Sequence, residues 1–140
     1  MKNQLHRMAA VIGISALMGS ALLAASYDNG TAEIPFDFQI QDRAMPAGTY
    51  TVSRADEHGM LNMRNVATGQ ATFVNAPADE YGKAGDGKIV FRKYGDRYFL
   101  AQVWFEGRSV GQGTSLGKDE KELIGTPVKG APVLAALRLK

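Results

Sequence analysis

Apolar side chains return on every second residue through most of this 140-residue chain, and that period is the strongest constraint on its fold. Ile34, Phe36, Phe38 and Ile40 form the cleanest run, with Glu33, Asp37, Gln39 and Gln41 around and between them. A period of two puts successive side chains on opposite faces of an extended backbone, so the run reads as a half-buried β-strand. Pro35 has no N–H to give a ladder, which predicts an edge or strand-start position there. Tyr50 with Val52, Leu61 with Met63, and Ala71 to Asn75 give three further short strands. Turn signals separate them at Met45-Pro46-Ala47-Gly48, at Ala55 to Gly59 and at Thr68-Gly69. Pro77 to Gly87, with Gly82 and Gly85 inside it, reads as a long loop.

The most informative stretch is Lys88 to Glu106. Two alternating segments flank Gly95-Asp96, and glycine at the first central position suits a type II′ hairpin turn. That turn predicts a register in which Phe91 faces Leu100 and Ile89 faces Gln102. Tyr98 and Trp104 share this mostly apolar face, which is expected to be the core. Phe36, Phe38, Phe91, Leu100 and Trp104 are thus expected in one interior. The opposite face sets Arg92 against Phe99, Tyr94 against Arg97, Val90 against Ala101 and Lys88 against Val103, with Phe105 extending it. After Gly107 a glycine-rich stretch has room for one short edge strand. Lys118 to Ile124 reads as about two helical turns. Val133 to Leu139 alternates and reads as a closing strand, although its Leu, Ala and Arg are also good helix formers. The fold class expected is all-β: an antiparallel sandwich or small barrel of about six to eight strands, with one short helix near the C-terminus.

The N-terminal segment reads as an address. Met1 to Arg7 is polar and carries Lys2 and Arg7, Met8 to Ala25 has no charge, and Ala24, Ala25 and Ser26 are small. This is the pattern of a secretory signal peptide, with cleavage after Ala25 or Ser26. An uncleaved anchor is the alternative, which Gly13, Ser15, Gly19 and Ser20 disfavour by diluting the apolar run. Residues 1–25 are therefore expected to be signal peptide and 26–140 a single β domain. Losing Lys2 and Arg7 lowers the basic count from 16 to 14, against 14 acidic residues. A neutral chain has no general attraction for nucleic acid or anionic lipid. Roughly 114 residues remain, enough to bury a core without staples. The chain has no cysteine, so disulfides, thiolate catalysis and cysteine metal sites are excluded.

Three pieces taken together, Ile34-Pro35-Phe36-Asp37-Phe38, Met45 to Val52, and Val90 to Leu100 followed by Val103-Trp104, resemble a family of small exported proteins of unknown function from soil bacteria of the acidobacterial kind. The resemblance runs from about Ile34 to the Lys121-Glu122-Leu123 region. It implies an exported β domain and carries no catalytic or ligand residues. The glycine-rich stretch from Gly107 to Gly117 departs from that family's more polar connection.

Catalytic chemistry is thinly supplied. His58 is the one histidine of the expected mature chain, in Ala55-Asp56-Glu57-His58-Gly59. Contiguous residues seldom converge on one ion, so this segment reads as a solvated turn with Gly59 at positive φ rather than a metal site. Asp79-Glu80 and Asp119, Glu120 and Glu122 read as solvated charges. Gly82 to Gly87 lacks the lysine and helix of a phosphate loop. No catalytic residue, metal or cofactor is expected. The candidate binding residues are Arg92, Tyr94, Arg97 and Phe99, a cation–aromatic patch with Arg92 over Phe99, on the face that the core does not need. The function expected is a non-catalytic binding or assembly module of the cell envelope, in the periplasm or outside the cell. Its partner would be an envelope component, a glycan or a second copy of itself, with no nucleic acid and no stable membrane insertion after cleavage. The alternatives are a fibre or matrix subunit that adds strands, and a small extracellular hydrolase.

Overall fold

The computed structural model describes residues 28–138. The expected signal segment, its cleavage point and Leu139 lie outside the described residues. The chain runs β1 (Asn29–Ile34), β2 (Phe38–Ile40), β3 (Arg43–Met45), β4 (Gly48–Arg54), β5 (Met60–Asn65), β6 (Ala71–Asn75), β7 (Ala78–Tyr81), β8 (Lys88–Tyr94), β9 (Arg97–Trp104), β10 (Val110–Gly113), α1 (Lys118–Ile124) and β11 (Ala131–Ala136). The helix and the tail strand follow the sequence pattern. Among the described residues, no helix is long and apolar enough to cross a membrane.

The strands make two sheets. One has the order β1-β4-β5-β6, and the other runs β11-β8-β9-β10-β7 with the β2–β3 hairpin attached to β9. All ladders are antiparallel except a single parallel bridge, Gln39 to Phe99, between β2 and β9. The Ile34 to Ile40 run is therefore two strands rather than one. The chain leaves the first sheet at Ile34 and joins the second at Phe38. Pro35 lies at that switch, and Pro77 lies at the switch from β6 to β7. Each proline removes a ladder donor where the strand must bend between layers. Both halves of the first run still face the same interior, so the alternation survives the bend. Residues Pro77 to Gly87 are not wholly loop. Ala78–Tyr81 is an edge strand whose four residues are all exposed, so it shows no alternation.

The core lies between the sheets and contains Ile34, Phe38, Tyr50, Val52, Leu61, Met63, Ile89, Phe91, Leu100 and Val103. Phe36 packs at its margin, stacked on Tyr98 with ring centroids 3.8 Å apart. The β8–β9 hairpin keeps the expected register from Tyr94–Arg97 to Phe91–Leu100. Gly95 has φ +62°, as the first central residue of a type II′ turn requires. Beyond Leu100 the register shifts by one, pairing Val90 with Gln102, Ile89 with Val103 and Lys88 with Trp104. Ala101 is the extra residue of a β-bulge. A one-residue slip exchanges the faces of everything that follows. Val103 and Phe105 accordingly enter the core, and Trp104 leaves it, reversing the expected places of all three. Trp104 lies on the outer face against Gly111 and Gly82, where a Cβ would meet its ring. That contact gives the glycine-rich segment a physical reason.

Candidate functional site

The face carrying Arg92, Tyr94, Arg97 and Phe99 is not bare. The structure brings all four together, but under α1. Glu120 of the helix is buried, at 2% exposure, and accepts hydrogen bonds from Arg92 Nε, from Arg92 Nη2 at 3.0 Å and from Tyr94 Oη at 2.9 Å. Arg97 reaches Asp119 at 3.2 Å and Gln39 at 3.3 Å. Phe99 is 1% exposed, with Tyr94 edge-on to its ring at 5.7 Å. Its cation is Arg97, 5.3 Å from the ring centre, rather than Arg92. Glu120 binds the Arg92 guanidinium and raises its already high pKa further. Burial, followed by the bond to Glu120, raises the Tyr94 hydroxyl above its ordinary value.

The β2–β3 turn supplies the rest of this clasp. Asp42 Oδ1 accepts from the backbone N–H of Lys118 at 2.8 Å and of Asp119 at 3.4 Å, capping α1 from another part of the chain. Gly117 is required because a Cβ there would lie 2.6 Å from the Gln41 carbonyl carbon. Gln41 has φ +56°, and its amide donates to Ser115 Oγ at 2.8 Å. The four expected binding residues thus anchor a helix: Tyr94 and Phe99 are buried, while Arg92 and Arg97 keep only part of their side chains exposed. Asp119 and Glu120 are the carboxylates that a face bearing Arg92 and Arg97 attracts.

The site left open is a seam between the two sheets. Thr31 and Arg138 exchange backbone hydrogen bonds of 2.7 and 2.9 Å, an isolated bridge that joins the first sheet to the chain just after β11. Elsewhere, among the described residues, β3 is paired only with β2, and β6 only with β5. Ile40 to Arg43, with Thr72 and Phe73, line a cleft of about 380 Å3 between them. Thr72 and Met45 approach across it, hydroxyl to sulfur, at 3.8 Å. In the β5–β6 ladder, Asn65 N–H donates to Gln70 O and Ala76 N–H donates to Gly59 O, each at 2.9 Å. Antiparallel bonding alternates, so the backbone groups of Ala71, Phe73 and Asn75 point away from β5. Phe73 is 62% exposed, and Val66 in the preceding turn is also exposed.

His58 lies in the expected turn, with Gly59 at φ +102°. Asp56 Oδ1 accepts from the backbone N–H of Met60 at 2.8 Å and of His58 at 2.9 Å. Those bonds, the one from Met60 foremost, hold the Asp56 carboxyl below its ordinary pKa. Compared with family models, curated proteins and solved structures, the chain matches none of them.

Proposed function

We propose that this protein is an exported, non-catalytic module of the cell envelope that works by contact, and that its contact element is the seam beside β6. Strand addition at that edge makes it an assembly subunit, and its occupant is an extended segment of a neighbouring copy. The observation that carries this reading is the unguarded edge of β6. Sheets protect their edges with charge or proline. Here β1 carries Glu33, β3 carries Arg43, β7 carries Asp79 and Glu80, and β11 carries Pro132. The β6 residues Ala71-Thr72-Phe73-Val74-Asn75 have neither. An incoming strand finds outward backbone groups at three positions and an exposed aromatic beside them, the pairing used in β-augmentation. The export signal read from residues 1–25 and the resemblance to exported proteins support the location. The exposed His58, in a turn whose Asp56 is engaged by backbone N–H groups, supports contact rather than catalysis.

The test compares wild type with Phe73→Lys by size-exclusion chromatography and negative-stain imaging of the mature protein. The substitution puts a charge on the edge and touches no core residue. Wild type is expected to form oligomers or fibres, and Phe73→Lys to run as a monomer with an unchanged circular dichroism spectrum. A wild type that stays monomeric, or a variant that still assembles, overturns the strand-addition reading. A measurable turnover lost in His58→Ala overturns the non-catalytic one.

A further inference from the structure

A second cleft, of about 290 Å3, opens where the β4–β5 and β9–β10 turns meet. Its walls hold an unusual set of polar groups for so small a space. Asp28 lies between two guanidiniums, accepting from Arg54 Nη1 at 3.2 Å and from Arg108 Nε at 2.9 Å. Two cations therefore share one carboxylate. Arg108 is half exposed, and among the described residues only its Nε is engaged. Two buried atoms in the lining residues have no partner among the described residues: Arg54 Nε, a donor, and Gln112 Oε1, an acceptor. Gln112 is 8% exposed. Buried polar atoms are nearly always hydrogen-bonded, so two orphans in one cleft wall call for an explanation. Val110 supplies an apolar patch on the same wall, in front of the buried Phe105, Glu57 a second carboxylate and His58 an imidazole.

We infer that this cleft binds a small hydroxylated carboxylate, of the sugar-acid class. The ligand carboxylate pairs with the accessible terminal N–H groups of Arg108; Asp28 and Glu57 together balance the two guanidiniums, so recognition rests on directed hydrogen bonds rather than on net charge. Ligand hydroxyls donate to Gln112 and Glu57, which a plain anion cannot do. The carbon face of the ring lies against Val110. The volume sits near the lower end of ligand pockets, on the order of 300 Å3, which limits the ligand to about one sugar unit. Modest turning of the Arg54 and Gln112 side chains toward the ligand gives both orphans a partner. The site is separate from the β6 edge, and its occupancy does not depend on assembly.

The test is isothermal titration calorimetry of the mature protein with D-glucuronate, D-glucose, acetate and a uronic-acid tetramer. D-glucuronate or the tetramer is expected to bind at least about 10-fold more tightly than glucose and acetate, since each control lacks one half of the recognition. Binding of the monosaccharide assigns the site to a free acid, and binding of the tetramer alone assigns it to an acidic glycan. Arg108→Ser is expected to weaken binding roughly 10-fold. Gln112→Met removes the orphan acceptor, so the empty protein is expected to melt no lower than wild type while affinity falls. Equal binding of glucuronate and acetate, no binding of either uronic ligand, or affinity unchanged in both variants overturns the inference.

Discussion

The two faces of the β8–β9 hairpin are built on different chemistry. Its inner face sets Ile89, Phe91, Leu100 and Val103 against the other sheet, all nearly or fully inaccessible. Its outer face sets Arg92, Tyr94 and Phe99 against one turn of helix, through Glu120. The inner face rests on apolar area and packing, which are non-directional and favour the whole sandwich at once. The outer face rests on a few directional bonds around one buried carboxylate, which contribute little net stability when complete and are costly to break. The hairpin thus carries both the core of the domain and a docking point for a single short helix.

Three substitutions test the two faces separately. The largest effect is expected for Leu100→Ala, which empties a fully enclosed inner site and should cost about 2–5 kcal/mol in chemical denaturation. A loss within about 0.5 kcal/mol, the range of ordinary surface changes, would remove Leu100 from the core. Glu120→Ala comes next, at about 1–3 kcal/mol, because it leaves Arg92 and Tyr94 without their acceptor. The cost stays below that of a fully buried pair because the Arg92 side chain is 30% exposed and its head can turn to water. Hydrogen exchange should show α1 losing protection while β4 and β5 keep theirs. A loss matching Leu100→Ala would make the outer face a second core. The smallest effect is Asp42→Ala, about 1 kcal/mol for a lost helix cap, read as a shift in melting temperature together with faster exchange at Lys118 and Asp119. No change in either would mean that Glu120 alone holds the helix.

Legibility in the sequence divides along similar lines. Ala71–Asn75 and Lys118–Ile124 emerge with the bounds that alternation and composition predict. The turn at Gly95-Asp96 sets four residue pairs correctly. Trp104 fails because nothing local marks Ala101 as an extra residue; the bulge is defined by two strands, not one. The β7 strand fails because both its faces are exposed, and period two needs one face hidden. The candidate patch was legible as a cluster but not as a contact. Arg92, Tyr94, Arg97 and Phe99 do share a face, yet a sequence of charges does not say whether its counterion is solvent, a partner or Glu120. The polar cleft has no sequence signature, since Asp28, Arg54, Arg108 and Gln112 meet only when two distant turns converge.

An all-β antiparallel fold, sandwich or small barrel, with one short helix was legible from the chain, because hydrophobic period, turn residues and proline positions are local and act through the backbone of each segment. Two separate sheets in place of a closed barrel, the aromatic that enters the core, the cover over the outer face and the edge left unpaired all belong to the tertiary structure. Those outcomes depend on register and on the meeting of groups far apart in the chain. A one-residue shift in pairing leaves the local pattern untouched and reverses what each side chain touches.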